Sequence, residues 1–210
     1  MTGVIALQGG GPFTANDDLD ARLLAEVAGI GDGRTVVLPT ADAFEHPERL
    51  VTAALGWAER LEVEVEALMV LRRAEALDEG AAGVVRGARA VYLVGDQPLH
   101  LRSVLKDTPV WHAIGEVFAA GGLVVGVGAC ASALCDPMVD PRGGAFTLGL
   151  GLVPGLAVVH SVEQWSAERL QRTLRMADTT VASLPTGAAL VRRGAAWESV
   201  GEVALHGELP

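Results

Sequence analysis

The chain contains 210 residues, half of them hydrophobic, and its formal net charge is −10 at pH 7. This length suits one domain with a sizeable core, and no apolar run reaches the about 18 to 20 residues that a membrane-spanning helix needs. The negative charge argues against nucleic acids and anionic membrane surfaces as partners, because both are bound by clustered Lys and Arg. A small molecule or a peptide is the expected ligand.

Alternating strand and helix patterns run through the first two thirds of the chain. Short β-branched runs predict strands at residues 3–8, 34–39, 63–70, 89–95 and 123–128. Amphipathic stretches predict helices near residues 17–29, 46–61, 78–87, 98–120 and 130–137. A strand followed by a helix, repeated, predicts a mostly parallel sheet covered on both faces. The predicted architecture is a three-layer α/β/α sandwich.

The last third of the chain predicts further strands. They are expected at residues 156–160, 179–183, 187–192 and 197–206, with a helix opened by WSAERLQRTLRM before the second of them. The closing segment has the pattern of antiparallel hairpins at the edge of the sheet. We find no internal repeat or linker in the sequence and therefore predict a single domain over residues 1–210.

The chain start and the cysteines bear on where the protein resides. The first residues, MTGVIALQGGG, lack a basic segment and a long apolar stretch, so we expect no signal peptide. The two cysteines, Cys130 and Cys135, flank one predicted turn and helix and are poorly placed to bridge each other. Unbridged cysteines favour a reducing compartment, and we therefore predict a cytoplasmic protein.

Glycine-rich loops follow three of the predicted strands. They are QGGGPF at residues 8–13, VGDQPLH at residues 94–100, and the turn at Gly128. Parallel sheets bind ligands at the carboxyl ends of their strands, and glycine lets the backbone approach a ligand closely. The three loops together predict a pocket at this edge of the sheet.

Four segments carry a resemblance to a known family. They are ALQGGG at residues 6–11, VYLVGDQPLHLRSVL at residues 91–105, GGLVVGVGACASALCDPM at residues 121–138 and FTLGLGLVPGLAVVH at residues 146–160. Together they resemble the cyanophycinase and dipeptidase E family of serine peptidases, and especially its small actinobacterial-type members. The resemblance implies a flavodoxin-like fold of the class I glutamine amidotransferase type. It also implies cleavage of peptide or isopeptide bonds next to acidic residues by a Ser-His-acid set without a cofactor.

The segment that should carry the nucleophile departs from the family pattern. Aligned without gaps, the family motif places Gly128 where the nucleophilic serine is expected. A rival frame makes Cys130 the nucleophile; Gly128 and Ser132 are small enough for it, but it needs an insertion and a compensating deletion. The ungapped frame is simpler, and Cys130 stays open as an alternative because a helix N-terminus lowers the pKa of a thiol.

The histidine and acid positions are also altered. His160 follows the GLGLVPG segment, but the resemblance places the catalytic histidine one or two residues later, at Ser161 or Val162. Alternation along the strand would turn His160 to the opposite face. Asp136 and Asp140 lie near the place from which the family's orienting carboxylate comes.

The loop that forms the oxyanion hole in the family is retained. Its equivalents here are the backbone amides of Gly95 and Ala129, which need no particular side chain. The other residues expected to line the pocket are Asp96, Gln97, Gly10, Gly11, Ser161 and Glu163.

These features lead to one leading hypothesis and two alternatives. The leading hypothesis is a pseudoenzyme that keeps the pocket, binds a small peptide-like or acidic ligand, and does not carry out covalent hydrolysis. The first alternative is a hydrolase or acyl transferase that uses Cys130; the second is a non-covalent acid–base enzyme that uses Asp96, His160 or Glu163. No metal-binding or nucleotide-binding motif occurs in the sequence, so we expect neither a metal nor a cofactor. The apolar stretch TPVWHAIGEVFAAGG is a candidate homodimer interface.

Overall fold

A seven-stranded sheet forms the centre of the molecule in a computed structural model that describes residues 3–210. Residues 1 and 2 of the predicted domain lie outside the described residues. The strands are β1 Val4–Gln8, β2 Thr35–Leu38, β3 Val65–Ala67, β4 Ala90–Leu93, β5 Leu123–Val127, β6 Cys135–Asp136, β7 Met138–Val139, β8 Phe146–Thr147, β9 Val153–Pro154, β10 Leu156–His160, β11 Thr180–Leu184, β12 Ala189–Arg193, β13 Ala196–Val200 and β14 Ala204–His206. The helices are α1 Asp17–Glu26, α2 Pro47–Leu61, α3 Arg73–Ala76, α4 Glu79–Gly87, α5 Pro98–Leu105, α6 Pro109–Ala119, α7 Ala129–Leu134 and α8 Ala167–Met176.

The order of strands in the central sheet is β13-β12-β1-β5-β4-β2-β3. The five strands from β1 to β3 in this order pair in parallel, whereas β12 and β13 add to the edge as an antiparallel hairpin. The predicted mostly parallel sheet and its antiparallel C-terminal edge are therefore confirmed.

Helices cover both faces of the central sheet because the strand residues that point to either face are apolar. Ile5 and Leu7 of β1 belong to one buried cluster, which also contains residues of α4, α5, α6 and α7. Val4 and Ala6 belong to a second cluster, on which α1 and α2 pack. Successive strand residues point to opposite faces, so this alternation produces the three layers that the sequence predicts.

A second sheet was not apparent from the sequence. Its order is β14-β11-β10-β6-β9, and its pairs combine parallel and antiparallel strands. The predicted strand at residues 156–160 is confirmed as β10, but it pairs with β11 and β6 rather than with the central sheet. A short apolar strand carries no signal that selects its partner, and this explains the omission.

Two predicted helices are shorter than the sequence indicates. The stretch at residues 98–120 forms two helices, because Pro109 lacks the N–H of a helix interior and its ring clashes with the preceding turn. Thr108 caps the second helix by accepting a hydrogen bond from the N–H of Trp111 at 3.3 Å. The helix predicted at residues 130–137 ends at Leu134, where the chain enters β6.

A buried polar network joins α1 to the central sheet. Asp20 is 2% exposed, and its Oδ1 accepts hydrogen bonds from Gln8 Nε2 at 2.6 Å and from the Tyr92 hydroxyl at 3.0 Å. Burial raises the pKa of Asp20 to about 6, although the hydrogen bonds from Gln8 and Tyr92 oppose the shift. The carbonyl of Gln8 also accepts the N–H of Gly128 at 2.9 Å, so the network reaches the turn after β5.

We expect Asp20→Asn to change how stability depends on pH. Between pH 4 and 6 the folded protein retains a proton on Asp20 that the unfolded chain has lost, so the free energy of unfolding falls by about 3 kcal/mol as the pH rises. Asparagine does not titrate. Urea denaturation from pH 4 to 7 should therefore show this fall in the wild type but not in Asp20→Asn. The control is Asp18→Asn, which changes an exposed carboxylate of the same helix; an unchanged slope in Asp20→Asn would contradict the assignment.

Candidate functional site

A cavity of about 540 Å³ lies at the carboxyl ends of β1, β4 and β5. The three glycine-rich loops that the sequence placed at this edge all contribute to it. The candidate residues that line the cavity are Gly10, Gly11, Gly95, Asp96, Gly128, His160 and Ser161. The cavity therefore combines the loops of the central sheet with the end of β10 from the second sheet.

Gly128 forms the turn between β5 and α7. Its backbone angles are φ 61° and ψ −121°, a conformation that side-chain-bearing residues rarely adopt. A Cβ atom added here would lie 3.9 Å from Nδ1 of His160 and 3.9 Å from the Cα of Gly10, which is ordinary van der Waals contact. There is thus room for a side chain at this position, and that side chain would point toward the imidazole.

His160 faces the cavity, not the opposite face that alternation along a strand suggested. The suggestion failed because it referred His160 to the central sheet, whereas β10 belongs to the second sheet. Burial lowers the pKa of His160; the charge of Arg169 lowers it further, while Asp96 and Glu163 oppose the shift. The imidazole is therefore neutral at pH 7 and can accept a proton.

Ser161 and Thr186 flank the glycine loop. The Ser161 hydroxyl donates to the carbonyl of Gly9 at 3.1 Å and lies 3.4 Å from Nδ1 of His160. The Thr186 hydroxyl donates to the carboxylate of Glu163 at 2.6 Å. Thr186 lines the cavity and was not foreseen, whereas Glu163 holds Thr186 from outside the lining.

Two backbone amides are available as hydrogen-bond donors near the turn. Within residues 3–210, the N–H groups of Gly95 and Ala129 donate to no protein acceptor. Gly95 has φ 115°, and a Cβ atom there would lie 2.6 Å from the backbone of Ala41 and Asp42. Only glycine fits this close approach, so the sequence requirement at Gly95 has a steric cause.

Cys130 is oriented away from the cavity. The side chain is fully buried in the apolar core, and its Sγ donates to the carbonyl of Gly95 at 3.5 Å. Burial raises the pKa of the Cys130 thiol well above its ordinary value, and the charges of Asp96 and Asp42 add to this shift. The expectation that the helix N-terminus lowers this pKa was therefore wrong, because burial dominates.

Three further candidates lie outside the cavity lining. The carboxylate of Asp140 pairs with Arg142 at 2.7 Å in the turn between β7 and β8, and the side-chain hydrogen bond from Arg142 holds the pKa of Asp140 below its usual value. Gln97 precedes α5 and is exposed. Asp136, near the same turn, accepts the N–H of Gly149 at 3.0 Å. None of these three side chains reaches the cavity.

Asp42 is the main lining residue that sequence reasoning missed. It ends a short 3₁₀ turn after β2, so its position past the carboxyl end of a strand was a usable signal. Burial raises the pKa of Asp42, and the negative charge of Asp96 raises it further. The two carboxylates therefore share one region of the cavity.

Comparison with known proteins places this arrangement among the peptidases. The model of peptidase family S51 matches residues 5–200, and the chain belongs to this family. The resemblance to dipeptidase E and cyanophycinase is therefore confirmed. The link to the class I glutamine amidotransferase fold stays a prediction.

Two crystal structures resemble the chain over nearly its whole length. A peptidase from an acI-B1 actinobacterium has a TM-score of 0.87 and 25% identity, covering 98% of this chain and 90% of that one. A putative peptidase E protein from Listeria monocytogenes EGD-e has a TM-score of 0.69 and 19% identity, covering 98% of each chain, and supports the fold alone. A search of curated proteins gave no match.

Among residues 3–210 no group of three or more His, Cys, Asp or Glu side chains is placed to hold a metal ion. In the same range, no helix has both the length and the apolar character needed to cross a membrane.

We expect Cys130 to be unreactive in the folded protein, because its thiol is buried and protonated. Iodoacetamide at pH 7.5, followed by mass spectrometry, should modify it at least about a hundredfold more slowly than a model thiol. In urea it should react at the ordinary rate. The variant Cys135→Ser assigns the label to one thiol, and fast labelling of Cys130 in native protein would restore the thiol nucleophile.

Proposed function

We propose that this protein is a peptide-binding member of peptidase family S51 that lacks the attacking group of a covalent hydrolase. The observation that carries the proposal is the geometry at Gly128. A side chain at position 128, in the turn between β5 and α7, would begin beside the imidazole of His160. Its Cβ atom would lie 3.9 Å from Nδ1 of His160. Glycine supplies no oxygen or sulfur at this point.

The surroundings of Gly128 support a retained pocket. His160 faces the cavity with a lowered pKa, and the N–H groups of Gly95 and Ala129 are free of protein acceptors within residues 3–210. Donors of this kind can polarise a carbonyl oxygen without any nucleophile. Binding of a peptide carbonyl is therefore possible although covalent attack is not.

Cys130 offers no replacement for the missing group. Its sulfur is directed at the carbonyl of Gly95 within the core, and burial keeps the thiol protonated. A protonated, enclosed thiol is a poor nucleophile. Removal of a catalytic serine costs on the order of a million-fold in turnover, while about a thousandfold acceleration over water can remain from the oxyanion hole and binding.

We expect Gly128→Ser to increase peptide hydrolysis, because it places a hydroxyl beside His160. The gain should be between about a hundredfold and ten-thousandfold, short of full activity because no carboxylate within residues 3–210 is hydrogen-bonded to the imidazole, whose side-chain partner is Ser161. The matched variant Gly128→Ala adds the Cβ without the hydroxyl and should gain nothing. Both variants should lose about 1–3 kcal/mol of stability from the strained backbone. Hydrolysis of α-aspartyl, β-aspartyl and lysyl dipeptides is the measurement.

The wild-type protein provides the decisive result. Turnover of any of these dipeptides at about 1 s⁻¹ or faster would be ordinary enzyme activity and would refute the proposal. Equal gains in Gly128→Ser and Gly128→Ala would also contradict it, because alanine carries no nucleophile.

A second candidate function is slow hydrolysis by a water molecule that His160 activates. The observation favouring it is the space between Gly128 and the neutral imidazole of His160. Even a Cβ atom added at Gly128 would lie 3.9 Å from Nδ1, and one water occupies only about 30 Å³. As the water oxygen bonds to the peptide carbonyl carbon, its proton would pass to His160. The proton would then pass to the leaving amine as the C–N bond breaks.

The two candidates differ in their response to His160→Gln. If water attack operates, the wild type should show slow hydrolysis that falls by about a hundredfold or more in His160→Gln. A fluorophosphonate should label neither protein, because Gly128 has no nucleophilic atom and the Ser161 hydroxyl, 3.4 Å from Nδ1 of His160, donates its proton to the carbonyl of Gly9 instead. Residual hydrolysis that is unchanged in His160→Gln would exclude the imidazole as base.

A further inference from the structure

The charge of the cavity lining is negative. Asp42 and Asp96 both line the cavity, and within residues 3–210 neither carboxylate forms an ion pair with Lys, Arg or His. Burial raises the pKa of Asp42, and the negative charge of Asp96 raises it further, as expected for two carboxylates that face one space. Two unpaired carboxylates facing one space favour a ligand of opposite charge.

The hydroxyl groups of the lining act as hydrogen-bond acceptors. Ser161 and Thr186 each use their single hydroxyl proton on a protein acceptor, the carbonyl of Gly9 and the carboxylate of Glu163. Their lone pairs remain for a ligand. Both oxygens flank Gly10, since a Cβ atom there would lie 2.8 Å from Ser161 Oγ and 3.1 Å from Thr186 Oγ1. This arrangement is independent of the carboxylates and favours a donor-rich ligand.

No Lys or Arg side chain within residues 3–210 lines the cavity. Arg169, whose charge reaches His160, is stacked on the Trp165 ring at 3.6 Å and donates to the carbonyl of Pro141. Arg49 lies outside the main cavity, in an adjoining groove that is also lined by Asp42, Asp96 and His46. Within the main cavity, an acidic ligand group would therefore meet two carboxylates and no guanidinium.

We infer that the cavity binds its ligand through a primary ammonium group, either the free amino terminus of a peptide or a lysine-like side chain. Asp96 and Asp42 supply the opposite charge, and the hydroxyl oxygens of Ser161 and Thr186 accept hydrogen bonds. This inference rests on the peptide-binding function proposed above and names its ligand class. It replaces the acidic ligand group that the family resemblance suggested.

The test is calorimetric titration at pH 6.5 with four small probes. Alanyl-alanine amide carries an α-ammonium group, and Nα-acetyl-lysine amide carries a side-chain ammonium group. Nα-acetyl-alanyl-alanine amide is the neutral reference, and Nα-acetyl-aspartic acid amide is the acidic probe. The first two probes separate the two possible sources of the ammonium group.

We expect at least one ammonium probe to bind about tenfold or more tightly than the neutral probe. The acidic probe should bind more weakly than this ammonium probe and more weakly than the neutral probe. Asp96→Asn and Asp42→Asn should each weaken ammonium binding without weakening neutral binding. The matched control is Glu64→Gln, which removes an exposed carboxylate at the amino end of β3, the opposite edge of the parallel strands.

The outcomes separate the ligand class from the peptide-binding function. Tighter binding of the acidic probe than of either ammonium probe would overturn the ammonium inference while leaving peptide binding intact. Equal weakening by Asp96→Asn and Glu64→Gln would also overturn it, because the effect would then come from net charge alone. Failure of all four probes to bind would overturn both.

Discussion

The backbone of Gln8 and Gly9, at the end of β1, holds the two halves of the cavity together. The carbonyl of Gln8 accepts the N–H of Gly128, and the carbonyl of Gly9 accepts both the N–H and the hydroxyl of Ser161. One peptide segment therefore fixes the turn after β5 and the end of β10. The distance between position 128 and His160 depends on these hydrogen bonds. The buried side chain of Gln8 donates a hydrogen bond to Asp20 and so fixes this segment against α1.

The central sheet was predictable because its signals are local. Alternating apolar residues in β1 and β5 fill both faces. The proline at residue 109 was an equally local signal, but the helix predicted at residues 98–120 ran across it. The second sheet was not predictable, because the pairing of β10 with β11 joins segments about twenty residues apart without a distinguishing pattern. The orientation of His160 was misjudged for the same reason.

The parts of the candidate site that depend on backbone geometry were predictable from the sequence. The parts that depend on the positions of side chains were less predictable. Gly10, Gly95 and Gly128 all reach the cavity because glycine marks places where the backbone must approach closely or adopt a positive φ. Asp42 escaped notice because a carboxylate after a strand is common in turns. Cys130 was misread because its position in the helix was visible in the sequence, whereas its direction into the core was not.

The division of the cavity between two sheets bears on how its chemistry can diversify. One face of β10 contributes Ala157 and Val159 to a small apolar cluster with Val181 and Val139, whereas Leu156 and Val158 on its other face belong to the main core. His160, at the end of the strand, belongs to neither cluster, so its replacement would remove no residue of the hydrophobic interior. Such an arrangement allows the ligand-binding residues at the end of β10 to change between relatives while the fold stays the same.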